Sequence, residues 1–82
     1  MYLLYFENSK GKRELISKFD NLEECTEYIN VDVDKRSNGR FQVYYKIYNY
    51  NGESEEDALE KGHEVRVDVG SHTEFYYIKK EE

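Results

Sequence analysis

Apolar and polar residues trade places along this chain in short blocks, and five glycines mark the breaks between them. The run from Tyr2 to Phe6 is apolar, NSKGKR around Gly11 is polar, and Glu14 to Phe19 is mixed, which predicts a β-hairpin. In DNLEECTEYI the apolar residues Leu22, Cys25 and Ile29 recur at i, i+3 and i+7, the period of one helix face. Asp20 can cap that helix, with Glu23 three residues later as a capping box requires. Val33 would extend the stripe, but VDVD alternates equally well as a strand, so the helix is expected to end near Asn30. FQVYYKIYNY, between Gly39 and Gly52, alternates over ten residues and is the strongest strand signal. Its register sets Phe41, Val43, Tyr45 and Ile47 on one side, and Tyr44, Lys46, Tyr48 and Tyr50 on the other. SEEDALEK then reads as a short helix with Ser54 as its cap, acids in the first turn, Lys61 at the end and Gly62 just beyond. EVRVDV and HTEFYYIKK, joined at Gly70, form a second hairpin.

The expected order is β-β-α-β-α-β-β: an α+β domain over residues 1–82, with a mostly antiparallel sheet and helices on one face. The hairpin, FDNLEECTEYI and the strand YYKIYNYNG together resemble small ββαβ modules of phage and bacterial proteins, over residues 1 to 52. That resemblance implies a fold and no activity.

Composition narrows the picture. Leu, Ile, Val and Phe make up 19 of 82 residues, a thin supply for a core. The nine tyrosines must therefore lend apolar surface, and oligomerisation could supplement the core, which leaves a homodimer open. With one cysteine there is no internal disulfide. MYLLYF is too short for a signal peptide's apolar region, and no apolar run reaches the ~20 residues of a membrane span. The expected place is the cytoplasm, with no membrane partner.

Chemistry is sparse. Cys25 lies on the inner helix stripe and reads as core rather than as a nucleophile. Glu60, His63 and Glu64 fall near one another, but Gly62 interrupts the helix that would aim them at a metal. The glycines form no phosphate cradle, and no pocket is marked that could split two carboxylate pKa values. The expectation is a protein with no catalytic residues, metal or cofactor. Tyr44, Tyr48 and Tyr50 could form an oligomer interface or stack single-stranded bases. A net charge of −6 works against direct nucleic-acid binding.

Charge is where the chain departs from the ordinary. Residues 1–50 hold eight acids and eight bases, whereas residues 51–82 hold ten acids and four bases. Two stretches lack any base. One carries Asp20, Glu23, Glu24, Glu27, Asp32 and Asp34; the other carries Glu53, Glu55, Glu56, Asp57 and Glu60. Glu23 and Glu27 are helix neighbours about 5–6 Å apart, and an extended VDVD would set Asp32 and Asp34 roughly 6.5–7 Å apart on one side. Such rows match the scale of a nucleic-acid backbone, with one charge per ~3.4 Å of axis on each strand. Acidic helix surfaces also serve solubility and the helix dipole, so a solvated surface is the plain alternative.

A very small, acidic, tyrosine-rich chain of this kind resembles the phage host-takeover proteins that mimic DNA, a class that includes inhibitors of the nucleoid protein HU. The resemblance implies competitive occupancy of the DNA-binding surface of a basic protein. The alternatives are a regulatory or assembly module using the tyrosine-rich sheet face, and a single-strand binder.

Overall fold

A computed structural model describes residues 1–37, 46–48, 54–69 and 73–81. Strands β1 (Tyr2–Glu7) and β2 (Arg13–Phe19) are followed by helix α1 (Leu22–Ser37), β3 (Lys46–Tyr48), helix α2 (Glu55–Glu60), β4 (Val65–Asp68) and β5 (Phe75–Lys80). The five strands form one sheet in the order β2-β1-β5-β4-β3, and every neighbouring pair is antiparallel. The expected α+β class and element order are both present.

Gly11 makes the first turn at φ 79°, a conformation that residues with a Cβ avoid. The Asn8 side-chain oxygen closes the same turn, accepting from the backbone N–H groups of Lys10 and Lys12 at 3.0 Å each. Partway along the hairpin, the register slips by one residue. Leu4 pairs with Ser17 and Tyr5 with Leu15, so Ile16 is the extra residue of a bulge. The slip resolves the adjacent Leu15 and Ile16: Ile16 packs against the core while Leu15 stands 49% exposed.

Helix α1 differs from the sequence reading at both ends. Its cap is Asn21, whose side-chain oxygen accepts from the Glu24 N–H at 2.9 Å, and Glu24 reaches back to the Asp20 N–H at 3.3 Å. The Asp20/Glu23 pairing was therefore one residue early. The helix also continues seven residues beyond Asn30, through VDVD to Ser37. Val31 and Val33 show why: a strand would turn both the same way, whereas here Val31 is 56% exposed and Val33 only 4%. Helix α2 follows its expected signals. Ser54 accepts from the Asp57 N–H at 3.2 Å, Lys61 is the C-cap, and Gly62 follows at φ 85°.

Register partners share a face of the sheet. On one face Leu4 and Phe6 of β1, Tyr76 and Ile78 of β5, and Val65 and Val67 of β4 form a continuous apolar surface. Cys25, Ile29 and Val33 of α1, with Ala58 and Leu59 of α2, complete a single core against it. Tyr76 is wholly buried, with its ring 5.2 Å from that of Phe6, so a tyrosine does supply core volume as the composition required. Both helices thus lie on one face. Among the described residues no helix is long and apolar enough to cross a membrane. Within FQVYYKIYNY only residues 46–48 are described, and the turns at Gly39, Gly52 and Gly70 lie outside the described residues.

Candidate functional site

The helix layer carries the acids, and the helical course of α1 rearranges them. Glu23, Glu27 and Asp34 stand at i, i+4 and i+11, all exposed, along one line of the helix surface. That line spans about 16 Å at the helical rise of ~1.5 Å per residue. Glu24 is exposed but bound into the cap. Asp32 leaves the group: it sits three residues beyond Ile29, on the flank of the buried stripe, and accepts a hydrogen bond from the Tyr76 hydroxyl. The expected pairing of Asp32 with Asp34 along an extended segment is therefore incorrect, because residues two apart on a helix point to nearly opposite sides.

On α2, Glu56 and Asp57 are exposed and Glu55 is half-buried. Loss of solvent raises the Glu55 carboxyl pKa, and the charge of Glu56 adds to the effect. Glu60 is not base-free in three dimensions, since Lys80 of β5 donates to it. This contact raises the Lys80 pKa above its ordinary value. The pair borders a shallow cleft of about 260 Å³ lined by Leu59, Gly62 and Glu81. Glu53 lies outside the described residues. What remains as an exposed acidic set is Asp20, Glu23, Glu27 and Asp34 with Glu56 and Asp57. Among the described residues no base pairs with the side chains of Glu23, Glu27, Asp34, Glu56 or Asp57.

Among the described residues no helix lies over the opposite face of the sheet, and its character differs. Leu3, Tyr5 and Glu7 of β1 share it with Lys79, Tyr77 and Phe75 of β5, and with Arg66 and Asp68 of β4. Arg13 starts on the edge strand β2 and lies across this surface. Its guanidinium stacks 3.9 Å from the Tyr77 ring centre, passes 5.9 Å from that of Tyr5, and ends on Glu64 at 2.6 Å. Burial on its own would lower the Arg13 pKa, but the hydrogen bond to Glu64 and the charges of Glu64, Tyr77 and Glu7 hold it above the ordinary value. Arg66 lies 4.7 Å over the Phe75 ring, and the Tyr77 hydroxyl donates to Glu7 at 3.2 Å. At the margin Lys18 meets Glu81 at 2.8 Å. The bond raises the lysine pKa and lowers that of the carboxylate.

The tyrosines singled out in the sequence sit only partly within view. Tyr48 has Arg66 as its Cα partner, while Tyr44 and Tyr50 lie outside the described residues. Tyr5 and Tyr77 were not singled out, although each belongs to an alternating run whose second face could have been read in the same way. Cys25 is fully buried, and loss of solvent, with the nearby Glu24 charge, pushes its thiol pKa up to about 11. Among the described residues no three metal-ligating side chains gather. No family model matches the chain, and no curated protein or solved structure shows significant similarity to it.

Proposed function

We propose that the protein is a non-catalytic interaction protein whose acidic helix layer occupies the DNA-binding surface of a basic, nucleoid-type protein and so blocks DNA. The observation that carries this reading is the row Glu23, Glu27, Asp34, exposed on α1 and unneutralised by any described base, with Glu56 and Asp57 exposed on the second helix of the same layer. Like charges at i, i+4 cost a few tenths of a kcal/mol. In a chain with a thin core, that cost is better explained if a cationic partner uses the field. A helical row of about 16 Å would cover roughly five phosphate spacings of ~3.4 Å. The partner's chemistry follows: a concave or arm-like surface rich in Arg and Lys, shaped for a polyanion. A phage-type inhibitor of an HU-like host protein, acting in the host cytoplasm, is a protein of this kind.

The single-strand-binder reading draws less support. It rests on Tyr44, Tyr48 and Tyr50, and a net charge of −6 repels nucleic acid at long range.

The test is displacement of a labelled DNA duplex from a nucleoid-type basic protein, followed by fluorescence anisotropy. Wild type should displace DNA at low salt and lose the ability steeply as salt rises. Reversing Glu23, Glu27 and Asp34 to lysine should weaken displacement by about tenfold or more, and reversing Glu56 and Asp57 should weaken it less. No displacement by wild type at low salt, or displacement by both reversal variants as strong as that of wild type, defeats the proposal.

A further inference from the structure

Among the described residues, the sheet face turned away from the helices is close to electroneutral in a chain of net charge −6. Its bases with described side chains are Arg13, Lys18, Arg66 and Lys79; its acids are Glu7 and Asp68, joined by Glu64 and Glu81 through their ion pairs. Half-buried Tyr5, Phe75 and Tyr77, with stacked arginines, give it the residue types enriched in protein interfaces. We infer that this face docks a second copy of the same chain, as a two-fold dimer with the sheets packed face to face and the acidic helix layers outermost.

Charge selects the occupant and the arrangement. Two copies meeting through their helix layers would bring like charges together, whereas two sheet faces meet without net repulsion. The charge on the face is also polarised across the strands. Arg13 and Lys18 lie on β2 at one edge; at the β4 end Glu64 and Asp68 flank Arg66, which stacks on Phe75, so acids outnumber bases there. A two-fold axis parallel to the strands, between β1 and β5, lays β2 of one copy over β4 of the other. Register then sets Lys18 opposite Glu64 and Arg13 opposite Asp68, with Tyr5 opposite Tyr77 in the middle. The surface is thus complementary to itself, as an isologous interface must be.

Size sets the strength. Four strands at ~4.8 Å spacing and six residues at ~3.3 Å rise give a face of about 19 by 20 Å. That falls short of the ~800 Å² per partner of a standard interface and belongs with weak, reversible ones. Dissociation constants on the order of tens to hundreds of micromolar are expected.

The experiment is sedimentation velocity on the full chain over a dilution series up to about 1 mM, combined with a charge swap. Wild type should shift from monomer to dimer. Lys18→Glu and Glu64→Lys should each weaken the dimer about tenfold, and the double variant should recover most of the loss, which a merely structural role would not do. Both side chains are solvent-accessible, so folding is not at stake. A monomer at every concentration, a dimer indifferent to the single variants, or failure of the swap to rescue overturns the inference. So does dissociation of the dimer by a short oligothymidylate, which would assign the face to single-stranded nucleic acid. None of these readouts depends on DNA displacement, so the inference and the proposed function fail separately.

Discussion

Glu23, Glu27 and Asp34 on the helix layer extend into solvent with no ion pair to a described base, whereas Glu7, Glu64 and Glu81 across the sheet each meet a cation. Both surfaces carry carboxylates, and they lie on opposite sides of one five-stranded sheet. One leaves its field open, and the other closes its charges onto each other and onto aromatic rings. Pairing among the described charges follows the fold and not the sequence, since bases remote in the chain (Arg13 and Lys80) reach acids 51 and 20 residues away. An open field suits attraction of a highly charged partner at a distance. A closed, aromatic surface suits contact at short range.

The core holds the two sides in one body, and its disruption should have the largest effect. Ile29 is fully buried at the centre of the α1 stripe, so Ile29→Ala should cost about 2–5 kcal/mol. For a chain of this size total stability is roughly 4–12 kcal/mol, so a urea titration should show a large drop in midpoint or a population already unfolded.

Asp32 and Asp34 sharpen the contrast within two residues of sequence. Asp32 accepts from the hydroxyl of wholly buried Tyr76, while Asp34 faces solvent. Asp32→Ala should therefore destabilise by about 1–3 kcal/mol, and Asp34→Ala by no more than about 0.5 kcal/mol. The reverse order in thermal melts would mean that the inner and outer faces of α1 have been exchanged. The uncovered sheet face should respond more gently. Arg13→Ala removes a partly exposed cation–π stack and ion pair, worth about 0.5–1.5 kcal/mol together, and should alter the near-ultraviolet dichroism of Tyr77. An unchanged tyrosine signal would show that the guanidinium does not rest on the ring in solution.

Local periodicity made the inner half of this structure legible. The Leu22, Cys25, Ile29 stripe, the Ser54 cap and the Gly62 stop are short-range signals, and each appears where the pattern put it. VDVD misled because four residues fit both a period of 2 and a period of 3.6; only the continued burial of Val33 and exposure of Val31 separate them. The same ambiguity extends to the acidic site, because an extended VDVD would set Asp32 outward beside Asp34, whereas the helix turns it toward Tyr76. The β2 bulge was hidden for a related reason: one inserted residue breaks alternation without leaving a turn signal. The Arg13 bridge has no local trace, because it runs from β2 across β1 and β5 to the start of β4 and depends on strand order. Sequence spacing could place charges in rows but could not show which rows a remote lysine or arginine neutralises.

Glu55 offers the finest test of the open field. It stands in the first turn of α2, where the helix dipole favours a carboxylate, yet burial and the neighbouring Glu56 outweigh that help and raise its pKa. A carboxyl whose folded pKa lies above its unfolded value supports the fold fully below the unfolded pKa. That support is lost as pH rises through the folded pKa, so at neutral pH Glu55 is a net burden. Glu55→Gln, which keeps the shape and removes the charge, should raise stability at pH 7 by a few tenths of a kcal/mol, or about 1–3 °C in Tm. The gain should shrink as pH falls and vanish below the carboxylate range, where wild-type Glu55 is itself protonated. Melts of the two proteins at pH 7 and pH 3 provide the check. A gain that persists at low pH would come from helix propensity or packing. A loss at pH 7 would mean that the dipole outweighs the repulsion, and that crowding acids on α2 carries no cost for a partner to relieve.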